Sequence, residues 1–213
     1  MSSRWKAAQE KITAKDTIWQ DPSSYDPLTH GPSYLPGPKT AKTAGLDSDV
    51  ILATGYETTY DALPSVLVLL RALAAIHQTN HWVTRGPSAY ADHLLFERLY
   101  DSVVEEIDQV AERAIGSGQG EGVANLRDQM TAVQRVVGML YPEAREVLTG
   151  TECVEASIEA EGFFVRCLTD LTEKLKSAGM LSRGVDDLLA GISSKHEEHL
   201  YLLKQRIYDD WHA

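Results

Sequence analysis

Five side chains near the middle of this 213-residue sequence have the types and spacing to hold metal: His81, His93, Glu97, Asp108 and Glu112. Imidazole nitrogens combined with carboxylate oxygens suit ferrous iron, and zinc or manganese would also fit such a set. Carboxylates become better partners as iron passes from the ferrous to the ferric state, so a site of this type favours an oxidised product. At about 100° per residue on a helix, and relative to His93, Glu97 falls near 40°, Asp101 near 80°, Asp108 near 60° and Glu112 near 100°. They share one stripe. Yet His93 and Asp108 would stand roughly 22 Å apart along that helix, whereas ligands lie within about 2–2.5 Å of their ion. One helix cannot close the site. A second copy, antiparallel and related by a two-fold axis near residue 102, would set His93 and Glu97 of one chain opposite Asp108 and Glu112 of the other and create two identical sites. His81 joins them if the chain folds back across Arg85-Gly86-Pro87-Ser88.

The elements that must carry these residues are helices. From Thr58 onward an apolar face runs through Val66, Leu67, Leu70, Leu73, Ala74 and His77, with Thr58 or Thr59 as the cap and an end near Arg85-Gly86-Pro87. Ser88 is placed to cap a second helix through Leu94, Leu95, Leu99, Val103, Ile107 and Val110, ending at the glycine-rich residues 116–122. A shorter helix is predicted over about 123–140, before Pro142, and two long ones over about 151–178 and 184–209. Four long helices with a short extra helix in the connection between the second and third make an all-α four-helix bundle. Residues 1–57 form a separate N-terminal extension, since Pro22, Pro27, Pro32, Pro36 and Pro38 prevent regular helix there. The body is residues 58–213.

Composition narrows the function classes. The longest apolar stretch, Ala62 to Ile76, is interrupted by Pro64, Ser65 and Arg71, which argues against a membrane span of about 20 uncharged residues. No apolar block follows Arg4, Lys6 and Lys11, so a secretory signal is not expected and a cytoplasmic location is. The net charge of −11 disfavours unaided binding to nucleic acid and suits a surface that attracts cations. Cys153 and Cys167 lie on one predicted helix about 21 Å apart, beyond disulfide reach, and read as buried free thiols.

The run His81-Trp82-Val83-Thr84-Arg85-Gly86-Pro87, followed by His93, Glu97, Asp108 and Glu112, closely resembles the signature of the Dps family of mini-ferritins, with its HW, two or three residues and GP, and its histidines twelve apart. The segment DSVVEEIDQVAERAIG at residues 101–116 is similar to that family's second helix. The resemblance covers about residues 58–206. It implies a ferritin-like fold and a hollow dodecamer of tetrahedral symmetry. It further implies a ferroxidase that oxidises iron with hydrogen peroxide or dioxygen at sites shared between subunits, storing ferric mineral and limiting oxidative damage. By that resemblance His81, His93 and Glu97 come from one subunit and Asp108 and Glu112 from its partner, with Trp82 either beside the site or packed in the core. Glu97 departs from the family's more frequent Asp, and the extension lacks a dense basic tail, so DNA binding through it is not expected.

Other clusters have competing readings. A di-metal site inside one bundle, as in the larger ferritins, requires Glu-x-x-His from each of two helices, and residues 58–213 contain none. A shell-forming scaffold or DNA-protecting protein with a structural metal site is the alternative from another class. His77 reads as a core residue or a support to the ligands, and His196 and His199, flanking Glu197 and Glu198, as part of a solvated helix face. Glu105 and Glu106 read as surface charge or as mineral-seeding groups. Asp186 and Asp187 line an ion pore or favour a helix N-terminus.

Overall fold

The computed structural model describes residues 62–141 and 148–208. Six helices occupy them: α1 (Ala62–Val83), α2 (Ala89–Gly116), α3 (Gly120–Ala124), α4 (Leu126–Leu140), α5 (Gly150–Ser177) and α6 (Arg183–Tyr208). The expected all-α, ferritin-like four-helix bundle is present, built from α1, α2, α5 and α6, with the extra helical material in the connection between α2 and α5. That connection differs in detail from the sequence-based expectation. It holds two helices, because part of the glycine-rich run is itself helical and Asn125 restarts the chain, accepting a bond from the Asp128 amide. The N-terminal extension and the proposed caps Thr58 and Thr59 lie outside the described residues.

Helix α1 is apolar nearly all round, since it packs against α2, α4 and α5 together. By length and composition alone it could cross a membrane, but 78% of its most apolar window is buried inside the protein, which accounts for that character. The remaining long helices show one apolar stripe each. On α2 the stripe is Phe96, Leu99, Val103 and Val110; on α5 it includes Val154, Phe164, Leu168 and Leu171; on α6 it is Leu189, Ile192 and Leu203. Cys153 and Cys167 are buried thiols not joined in a disulfide, which their spacing on one helix precludes.

Helix ends are set by local chemistry. Thr149 and Glu152 form a reciprocal capping box at the start of α5, and the Thr149 amide and hydroxyl hold the Glu152 carboxyl below its usual range. Gly179, at φ +67°, ends α5 in a left-handed turn whose following amide, on Met180, donates back to the Leu175 carbonyl at 2.9 Å. Ser88 occupies the N-cap position of α2 without making a side-chain cap bond; the turn closes instead through the Asp92 amide to the Ser88 carbonyl.

One buried acid fixes the end of the bundle that carries the predicted site. Asp92, in the first turn of α2, takes a two-pronged interaction from Arg206 near the end of α6, at 2.5 and 3.2 Å. Beside it Gly150, the first residue of α5, donates its amide to the Arg85 carbonyl at 3.1 Å. A Cβ at residue 150 would run into the Asp92 carboxylate and crowd that same carbonyl. Gly150→Ala should therefore lower stability by about 1–3 kcal/mol. Calorimetry would read this as a fall in thermal midpoint, and an unchanged midpoint would show that Asp92 and the 84–88 turn yield freely.

Candidate metal centres

The turn between α1 and α2 does what the histidine spacing predicts. Gly86, at φ +105°, reverses the chain, and the rings of His81 and His93 stack with centroids 3.8 Å apart and planes 23° apart. Each ring is tied to the other residue's backbone: His81 Nδ1 donates to the His93 carbonyl at 3.0 Å, and His93 Nδ1 donates to the His81 carbonyl at 2.9 Å. A carbonyl only accepts, so both Nδ1 atoms carry the proton. In the neutral rings both Nε2 lone pairs are left for a ligand. Metal-binding histidines are typically oriented in this way.

The carboxylates lie farther along the same exposed face of α2. Glu97 follows His93 by one turn, and Asp108 and Glu112 follow about three and four turns later; all three are exposed and make no hydrogen bond or ion pair among the described residues. Within one chain the structure thus brings together His81 and His93, with Glu97 one turn on from His93 along α2, and leaves Asp108 and Glu112 remote. The same stripe exposes Tyr90, Leu94 and Val104, large apolar side chains that would ordinarily be covered. Trp82 is 68% exposed, which overturns its reading as a core aromatic.

A second constellation lies inside the bundle, joining His77, which the sequence reading places in the core, to Glu106, His196 and His199, which it places among surface or solvated groups, and to Glu161. His77, Glu106, Glu161, His196 and His199 are buried, none exposing more than 4%. Glu161 Oε1 accepts from His77 Nε2 at 2.8 Å and His199 Nδ1 at 3.1 Å, while its Oε2 meets His196 Nδ1 at 2.5 Å. The other ring nitrogen of His196 meets Glu106 Oε2 at 2.8 Å. Each of the four long helices supplies at least one of these groups. Burial alone would raise the Glu161 carboxyl, but hydrogen bonds from His196, His199 and His77 hold it well below its usual range. Burial likewise pulls the His196 imidazole down, and the Glu106 and Glu161 carboxylates outweigh it, lifting it to about 9.

Apart from His77, these residues were missed because their types, not their positions, governed the reading. Glu106 continues the buried series Phe96, Leu99, Val103 and Val110; Glu161 continues Val154, Ser157, Phe164 and Leu168; His196 and His199 interrupt Leu189, Ile192 and Leu203. A polar residue at a three-or-four spacing inside an apolar stripe faces the core. Glu105, Asp186 and Asp187 are exposed.

Comparison with known proteins bears on the fold. No family model matches the chain. DNA protection during starvation protein 2 of Bacillus anthracis is 28% identical over 125 residues, covering 58% of this chain and 79% of that protein. An uncharacterised low temperature-induced protein of Nostoc is 26% identical over 147 residues, covering 69% and 75%. Among solved structures, Dps from Thermosynechococcus elongatus superposes with a TM-score of 0.60 at 23% identity, over 75% of this chain and 94% of that one. Dps from Vibrio cholerae, described as belonging to a broad superfamily of ferritin-like diiron-carboxylate proteins, gives 0.59 at 17% identity, over 81% and 99%. The chain has the ferritin-like fold of the Dps structures.

This ferritin-like bundle thus carries two histidine-containing clusters on opposite faces of one helix, His93 pointing outward from α2 and Glu106 inward. The outward pair has a defined protonation pattern that can be checked directly. In a neutron structure at mildly alkaline pH, deuterium should lie on Nδ1 and be missing from Nε2 in both His81 and His93. Deuterium on either Nε2 with Nδ1 bare would contradict the reciprocal lock.

Proposed function

We propose that the protein is an iron-oxidising and iron-storing mini-ferritin, whose ferroxidase sites combine His81, His93 and Glu97 of one subunit with Asp108 and Glu112 of another. The observation that carries this reading is the reciprocal Nδ1 lock, which leaves two Nε2 lone pairs side by side on an exposed face. The residues present fit iron as a substrate: two neutral imidazoles and three carboxylates without other partners give mixed nitrogen and oxygen ligation. Exposed Tyr90, Leu94 and Val104 on the same stripe support a two-fold pairing of α2 with its twin, since such a contact covers apolar surface and completes both sites at once.

Two ferrous ions each give up one electron to hydrogen peroxide; its O–O bond breaks and, with two protons taken up, two waters form. Pairing the electrons at one site avoids release of a hydroxyl radical. Dioxygen is the other oxidant the reading allows. The resulting ferric ions pass into the hollow of a homo-oligomer, a dodecamer by family resemblance, and the protection is against oxidative damage in the cytoplasm. In this reading residues 58–213 form the shell-building body and 1–57 an appended extension. DNA protection, the role in the name of the Bacillus anthracis relative, would here be indirect, because a chain of net charge −11 has little affinity for a phosphate backbone.

Replacing both His81 and His93 by Ala in a correctly assembled particle should slow peroxide-driven ferrous oxidation by about 10–100-fold or more. Unchanged rates, followed by ferric absorbance, would remove the assignment. Sharing between subunits has its own readout. Asp108→Ala and His93→Ala chains, each inactive alone, should regain about a quarter of native sites when unfolded, mixed and reassembled, because random pairing gives half mixed dimers with one intact site each. No recovery would place all the ligands in one chain.

A further inference from the structure

We propose that the buried cluster inside the bundle is a second metal site, holding one resident divalent transition-metal ion between Glu161, His196 Nδ1 and His199 Nδ1, with Glu106 orienting His196. The starting point is compactness. One ligand atom from each of Glu161, His196 and His199 lies within 4.8 Å of the other two. Atoms bonded at about 2.0–2.2 Å to a single ion stand roughly 3–4.4 Å from one another, so the set has the dimensions of one coordination sphere. Present separations of 2.5 and 3.1 Å from Glu161 to the two rings mean that an ion enters by parting side chains by under about 1 Å. The helices need not move.

Charge points the same way. Glu106 and Glu161 are both 0% exposed, and a buried carboxylate is costly unless balanced. His196 lies between them, each of its nitrogens facing a different carboxylate, and a single imidazolium offsets only one negative charge. Glu106 Oε1 has no hydrogen-bond partner and makes only a long ion pair, 3.8 Å, with the half-exposed Lys195 ammonium. A divalent ion supplies positive charge directly beside the enclosed Glu161 carboxylate, and lets all three imidazoles be neutral.

The hydrogen-bond directions also fit. With His196 Nδ1 bound to the ion, its Nε2–H donates to Glu106 Oε2 at 2.8 Å, giving the carboxylate–histidine–metal series that commonly fixes a ligand ring. His77 Nε2 at 2.8 Å from Glu161 Oε1 either keeps that carboxylate in place or becomes a fourth ligand, and its Nδ1 is met by Ser157 Oγ at 3.4 Å. Phe164 packs on the His196 ring, with centroids 4.2 Å apart, closing one side with apolar surface. Two imidazoles and a carboxylate select zinc, ferrous iron or cobalt over magnesium or calcium. Enclosure on all sides makes the ion a staple between α5 and α6, distinct from the open pair at His81 and His93.

The test separates the two sites. The His81→Ala/His93→Ala particle, stripped with chelator and dialysed against Co2+, should retain about one cobalt per chain with the visible absorption of a low-coordinate nitrogen and oxygen site. Adding Glu161→Gln should abolish it. Crystals of the unaltered protein soaked in Co2+ should show anomalous density between Glu161, His196 and His199, a measurement that stands whether or not the Gln variant folds. A folded double variant that takes up no cobalt, or anomalous density confined to the surface site, would overturn the proposal. So would persistence of the buried cobalt signal after a folded Glu161→Gln substitution.

Discussion

A single carboxylate buried among three imidazoles sets the register of this bundle. Glu161 on α5 receives His77 from α1 and both His196 and His199 from α6, and His196 continues to Glu106 on α2. Apolar stripes alone tolerate small slides of one helix past another, because dispersion and area burial are not directional. Hydrogen bonds between buried charged groups are directional, and losing one partner of such a group costs about 3–5 kcal/mol. A shift of one turn on any of the four helices would strand a charge in a medium that cannot solvate it.

That register has consequences at both faces of α2. With Glu106 inward alongside Phe96, Leu99, Val103 and Val110, the opposite face must carry His93, Glu97, Asp108 and Glu112. The same rotation about the helix axis therefore places one set of groups in the core and the other where a second subunit can meet it. The end of α2 is pinned independently: Asp92 is buried against Arg206, and the adjoining Gly150 allows α5 to approach without a side chain. His93 follows Asp92 directly, so the residue that anchors the helix end also fixes where the stacked imidazole pair stands. Rigid support of this type holds a pair of side chains in one geometry.

A polar belt continues beside the buried centre and explains how the bundle accommodates it. The Asn80 amide donates to the Cys153 carbonyl at 3.1 Å and to Ser157 Oγ at 2.9 Å, while its oxygen accepts from the Tyr141 hydroxyl at 2.7 Å. Burial raises that hydroxyl to about 12, so it remains a donor across the physiological range. A helix as apolar as α1 can then hold His77 and Asn80 in its last turns because each meets a partner on α5. Buried polar groups satisfied in this way specify one packing arrangement where an all-apolar core would admit several.

The sequence by itself determined the helices, their approximate ends and the outward stripe of His93, Glu97, Asp108 and Glu112, since each depends on near neighbours along the chain: a 3.6-residue period, a glycine at the turn, histidines twelve apart across it. The buried centre depends on residues 77, 106, 161, 196 and 199, which meet only when four helices pack in one register, and no local pattern relates them. Composition was misleading here, because His196-Glu197-Glu198-His199 looks like a wet surface until Leu189, Ile192 and Leu203 show which side faces inward. Whether a histidine or carboxylate is solvated or enclosed is a property of the surface opposite it, and that surface exists only in the folded protein.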